Sequence, residues 1–183
     1  MIYKLNKNDI NTSEAYNKTI FIYKNNIIIP YINLEIFEES FIHAEVKKYD
    51  RLDFSYIIFK DVVEIFWNFE SNIEMKSTYR KFSDFYESDH YLVDYIEAIN
   101  IFDKHDDPYE FKIRYKEKYI YLPENVRIKR GALNLWIPVE TPNFRANMKE
   151  REVTYFFSKT NIPNDILKFI DMDDISSLEE LNW

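Results

Sequence analysis

Three histidines, His43, His90 and His105, are the first residues whose chemistry asks for partners. His105 stands in Asp103-Lys104-His105-Asp106-Asp107, which sets an imidazole beside several carboxylates. A metal site, however, needs ligands converging from a rigid frame, and neighbouring loop residues seldom all point at one ion. The expectation is a solvated loop ahead of Pro108, without a metal. Serine nucleophiles fare no better, because no Ser/His/Asp spacing rises above chance. Gly131 is the one glycine in 183 residues. A phosphate-cradling loop, a dinucleotide fingerprint and a nucleophile elbow all need glycines at fixed positions. The reading assigns no catalytic residue and no cofactor.

Two further constellations carry charge in a usable pattern. Glu45-Val46-Lys47 resembles the Glu-x-Lys half of the PD-(D/E)xK nuclease motif, in which carboxylates hold Mg²⁺ and lysine positions water. The upstream carboxylate would be Glu35, Glu38 or Glu39, and the Pro-Asp pair of that motif is absent. A metal-dependent nuclease is therefore the alternative to a binding protein. The second constellation interleaves Lys112, Arg114, Lys116, Lys118, Arg127, Lys129 and Arg130 with Phe111, Tyr115, Tyr119 and Tyr121. Basic groups among stacking rings suit nucleic acid. The same pattern also describes the wet side of a hairpin whose rings face the core, and that reading is preferred.

Carboxylates cluster at Asp84 to Asp89, Asp103 to Asp107 and Asp171 to Asp174, with Phe85, Tyr86 and Tyr91 among them. Acidic groups mixed with rings suit docking onto a basic protein: complementary charge speeds encounter, and rings anchor the complex. The candidate partner-binding residues are Asp84, Tyr86, Glu87, Asp89, Asp103, Asp106, Asp107, Asp171, Asp173 and Asp174.

These residues must be held by strands and short helices. Thr19 to Ile29 reads as a hairpin turning at Asn25-Asn26, since asparagine tolerates the left-handed backbone of a tight turn. Strands are predicted at 41–47 and 52–59, and at 62–69, where helical spacing competes with high β-branched and aromatic content. Tyr79, Phe82 and Tyr86 suggest a helical face over 78–86. Leu92, Tyr95, Ile96, Ile99 and Phe102 predict a helix over 89–102, capped by Ser88. Phe111, Ile113 and Tyr115 alternate with Lys112, Arg114 and Lys116, which predicts a strand with one basic face, and 119–122 is expected to pair back on it. Further strands are predicted at 126–128, 132–139 and 152–157. Pro163 opens a helix over 164–170, and Ser176 with Glu179 forms a capping box for a terminal helix. The fold class is α+β: one β-rich domain over residues 1–183, with a large antiparallel sheet and a few short helices.

Composition bounds the rest. With 46% hydrophobic and 18% aromatic residues the chain can fill a core, and a formal charge of −8 opposes non-specific binding to nucleic acid. The charge is uneven: residues 110–151 hold 10 Lys and Arg against 5 Asp and Glu, while residues 152–183 hold 2 against 7. There is no cysteine, no apolar leader at the N-terminus and no apolar run of about 20 residues. A cytoplasmic location and no membrane partner are expected.

In size, acidity, lack of cysteine and wealth of rings, and in Asp84-Phe85-Tyr86-Glu87 and Asp171-Met172-Asp173-Asp174, the chain resembles small immunity proteins of bacterial toxin–immunity pairs. Those of contact-dependent growth-inhibition systems are the nearest comparison. The resemblance implies cytoplasmic neutralisation of a toxin domain, often a basic nuclease, by carboxylates that mimic phosphate charge. It implies a protein partner, no small-molecule ligand and no chemistry on this chain.

Overall fold

In the computed structural model the described residues are 1–6, 9–12, 15, 17, 19–37, 40, 51–70, 75–98, 109–122 and 159–182. They form a β-rich α+β fold with two antiparallel sheets. The large sheet runs β1 (Ile2–Lys4), β10 (Glu117–Tyr121), β5 (Arg51–Lys60), β4 (Asn26–Ile36), β3 (Thr19–Tyr23) and β11 (Glu179–Asn182). A short β2 (Ile10–Asn11) pairs with the far end of β4. The small sheet runs β7 (Met75–Lys81), β6 (Glu64–Glu70), β9 (Tyr109–Tyr115) and β8 (Leu92–Ala98). No described helix is long and apolar enough to cross a membrane.

The large sheet is the middle layer, which explains why β4 reads Ile27-Ile28-Ile29 rather than alternating apolar and polar. Ile27, Ile29 and Tyr31 pack with Ile57 and Phe59 against Ile65, Phe111, Ile113 and Tyr115 of the small sheet. Phe21, Ile28, Tyr56 and Ile58 face the other way. They meet Ile162, Ile166, Ile170, Met172 and Leu178 of the C-terminal segment. Pro30, which has no N–H to donate, falls in β4 between the stretches that pair with β3 (to Ile28) and β2 (from Glu35), where no second ladder forms among the described residues.

Among the described residues two crossings join the sheets. Asp61, at φ 52°, turns β5 towards β6. Lys116 bends β9 into β10, and its N–H reaches the Lys60 carbonyl at 3.3 Å. Val63 binds the small sheet on both sides, donating to Arg114 and accepting from Phe82 at 3.0 and 2.7 Å. Residues 117–121 therefore do not pair back on 111–115 as expected. They cross sheets and pair with β5 and β1.

Other expectations are corrected. The hairpin turns at Lys24-Asn25, one residue early, with Lys24 at φ 54° and Tyr23 paired with Asn26. Asn25 is used elsewhere: its amide donates to Asp61 and its carbonyl accepts from Val62. Residues 75–81 are a strand, not part of a helix, and the ambiguous stretch 62–69 resolves into β6. The helix expected over 89–102 is absent from its described part: a 3₁₀ turn at Glu87–Asp89 leads into β8, which pairs with β9 along seven residues. Ladder pairing and burial of Ile96 outweigh a helical stripe that Leu92, Tyr95 and Ile96 satisfied equally well. The Ser176–Glu179 capping box is not formed. Asp174 caps a 3₁₀ turn at Ile175–Ser177, and Glu179–Asn182 pairs with β3. The strands expected at 41–47, 126–128, 132–139 and 152–157 lie outside the described residues, as does Gly131.

The helix that Pro163 opens is α1 (Asn164–Phe169). It closes on a Schellman motif: Met172 N–H bonds Leu167 O at 2.9 Å and Asp171 N–H bonds Lys168 O at 3.2 Å. Asp171 fills the left-handed position at φ 53°, where glycine is the usual occupant. Its carboxylate also sits at the negative end of the helix dipole. Asp171→Gly is expected to raise the unfolding free energy by about 1 kcal/mol, and Asp171→Val to lower it, in urea titrations.

Candidate functional site

The expected acidic residues fall into separate parts of the molecule. Asp84, Tyr86, Glu87 and Asp89 lie on the loop between β7 and β8, beside the small sheet. Asp171, Asp173 and Asp174 lie on the C-terminal segment, which covers the opposite face of the large sheet. Asp103, Asp106 and Asp107 lie outside the described residues, as do His43, Glu45, Lys47 and His105. Glu35 accepts a hydrogen bond from the Asn11 amide at 2.8 Å. Among the described residues no group of three or more His, Asp or Glu is placed to hold a metal.

The loop between β7 and β8 is tied down by its own side chains. Asp84 pairs with Lys81, and Asp89 accepts from the Tyr86 N–H at 3.3 Å. Phe85 and Tyr91 meet edge to face at 5.6 Å. The guanidinium of Arg114 stands 4.4 Å from the centre of the Phe85 ring and the Lys116 ammonium 5.1 Å from that of Tyr91. Basic residues of β9 and of the bend after it thus fasten the acidic loop through its rings, leaving Tyr86 71% exposed.

Strand parity builds the adjoining surface. Phe111, Ile113 and Tyr115 point inward, so Lys112 and Arg114 point out. The register then sets Tyr79, Phe66, Lys112 and Tyr95 side by side across all four strands. Tyr95 is 76% exposed, Tyr79 56% and Phe66 38%. A row of open rings is unusual on a sheet, because such area is normally buried or engaged. In the next row Glu64 receives Arg114 at 2.9 Å and the Tyr79 hydroxyl at 3.0 Å. Partial burial pushes the Glu64 carboxyl up, but the Arg114 and Tyr79 hydrogen bonds outweigh it and hold the group below its ordinary value. Sequence reasoning missed Phe66, Tyr79 and Tyr95. Helical spacing had assigned the last two to buried stripes, and Leu92 to Ile96 carries no apolar–polar alternation that would have marked a strand.

Lys118, expected in a basic surface, is buried at 4% exposure. Its ammonium lies 2.5 Å from Asp94 Oδ2, while the Tyr115 hydroxyl donates to Asp94 Oδ1 at 2.7 Å. Burial, then the Asp94 hydrogen bond, pushes the Tyr115 phenol far above its ordinary range, so it remains a donor. The pair joins β8 of one sheet to β10 of the other.

The chain matches no protein-family model, no curated protein and no solved structure.

Lys118→Met leaves the Asp94 carboxylate buried without its cation and is expected to cost about 3–5 kcal/mol in chemical denaturation. A double variant adding Asp94→Leu should recover much of that loss. The depressed Glu64 value makes its contribution to stability complete above the ordinary 4.5 and lost as pH falls through the lower folded value. Stability of Glu64→Gln should therefore fall less steeply than wild type across that acid window, as urea midpoints measured against pH would show.

Proposed function

We propose that this chain is a non-catalytic binding protein that neutralises a cognate bacterial toxin domain in the cytoplasm by forming a tight complex with it. The observation that carries the reading is the open row of Tyr79, Phe66 and Tyr95 beside the acidic loop with Tyr86, Glu87 and Asp89. Exposed rings next to carboxylates supply both parts of a protein-binding surface: anchors to desolvate, and charge to steer a basic partner.

The charge arrangement favours protein over nucleic acid. Of the basic residues that suggested a nucleic-acid surface, Lys118 is buried against Asp94, and Arg114 is paired with Glu64. Arg114 and Lys116 also stand against rings of the acidic loop. Among the described members of that set this leaves Lys112 to meet phosphates, while Arg127, Lys129 and Arg130 lie outside the described residues.

Co-expression with the toxin encoded beside it should rescue growth, and the two chains should co-purify; failure of both would remove the proposal. Tyr95→Ala and Tyr86→Ala are each expected to weaken the complex by about 2 kcal/mol, roughly 30-fold in Kd, by calorimetry, without lowering the melting temperature.

A further inference from the structure

A cavity of about 310 Å³ opens beside β2 and β8, with Asp94 and Lys118 among its walls and Ile57, Phe59 and Ile96 supplying apolar surface. A second, of about 410 Å³, shares Asn11, Thr12, Tyr95 and Ile96 with the first and extends past Phe66 and Lys112. Together they form a cleft of the size, and with the mixture of apolar wall and few polar groups, that small-molecule sites have. The scarcity of glycine, on which the expectation of no cofactor rested, does not bear on a cleft walled by these residues.

The chemistry of the walls selects a ligand. Lys118 and Asp94 stand 2.5 Å apart and offset each other's charge. An ammonium has three donors, and a carboxylate can accept about four hydrogen bonds. The single contact between them, together with the Tyr115 hydroxyl, uses only part of that capacity. An anion placed here would meet Asp94 and a cation would meet Lys118. An uncharged edge carrying a donor beside an acceptor complements both at once.

A second observation is independent of the pair. The Tyr31 hydroxyl, on a residue lining the same cavity, is buried with no partner in full hydrogen-bond geometry, only the buried Asn17 side chain standing near enough to act on it, and the hydroxyl of Ser55, its register partner on β5, is buried without a partner. Burial pushes the Tyr31 phenol far above its ordinary range, so it stays protonated. Buried polar atoms are normally satisfied, and leaving these two unpaired lowers stability. Of these, Tyr31 shares the cavity wall with Asp94 and Lys118, and polar groups beyond what packing uses suit a ligand site rather than a core.

We propose that the cleft binds an uncharged planar molecule with an amide-type edge, of nucleobase or nucleoside size, seated with that edge on Asp94 and Lys118. This goes beyond the protein-binding role and does not depend on it. The test uses the full-length chain, isotope-labelled, titrated with uracil, uridine, benzoate and benzylamine and followed by amide NMR. Saturable shifts at Thr12, Asp94 and Lys118 with uracil or uridine are expected, with benzoate and benzylamine at least tenfold weaker. Response to uracil and uridine alike identifies the base as the recognised part. Response to uridine alone places the sugar in the second cavity. Thr12→Trp fills the cleft without touching the ion pair, and should abolish these shifts while thermal unfolding stays cooperative. No saturable shift with either compound, equal binding of a charged probe, or shifts that persist in a folded Thr12→Trp would each overturn the proposal. The wild-type titration decides the matter even where the variant fails to fold.

Discussion

A carboxylate held out of water between an ammonium and a phenol organises the centre of this molecule. Asp94 belongs to the small sheet, Lys118 to the large one, and Tyr115 ends the strand that runs from the first into the second. A buried charge without its partner is strongly destabilising, so this group allows only registers that bring all three together. Asp94 must face inward, and strand parity then sends Tyr95 outward. A slip of one residue would bury Tyr95 and expose Asp94. The open row of rings on the small sheet follows from the same constraint that ties the two sheets.

The crossings that bring those sheets together are made almost without glycine. Lys24, Asp61, His90 and Asp171 all take left-handed backbone, near turns or element ends. Each bears a strain that glycine would avoid. Neighbouring bonds hold them there: Asn25 ties the first hairpin to Asp61, and the Asp171 carbonyl accepts from the Tyr23 hydroxyl at 3.4 Å. Scarcity of glycine removes some kinds of active site, yet it did not prevent tight turns. It shifted their cost onto residues with side chains.

Much of the fold was legible in residue types, and less of the site. The apolar run of β4, the hairpin before it and the alternation of Phe111, Ile113 and Tyr115 all mark strands, because β-branched and aromatic side chains fit a buried, pleated surface. The helix after Pro163 was likewise open to view. The stretches 78–86 and 89–102 misled, because their apolar residues fall at helical spacing while ladder pairing with neighbouring strands, which no local pattern shows, made them extended. That spacing hid Tyr79 and Tyr95. The acidic loop at 84–89 was identified, but not its fastening to Arg114 and Lys116, which depends on strands brought together by pairing.

The amino-acid sequence by itself determined an antiparallel, aromatic-rich α+β fold without glycine-built sites, since propensity and steric freedom belong to individual residues. The tertiary structure alone decided which charges are buried and which rings stay open. Lys118 read as one more surface cation among neighbours of the same kind. It became an interior partner of Asp94 because Lys116 bends the chain from one sheet to the other, and burial is a property of where strands meet rather than of the residue.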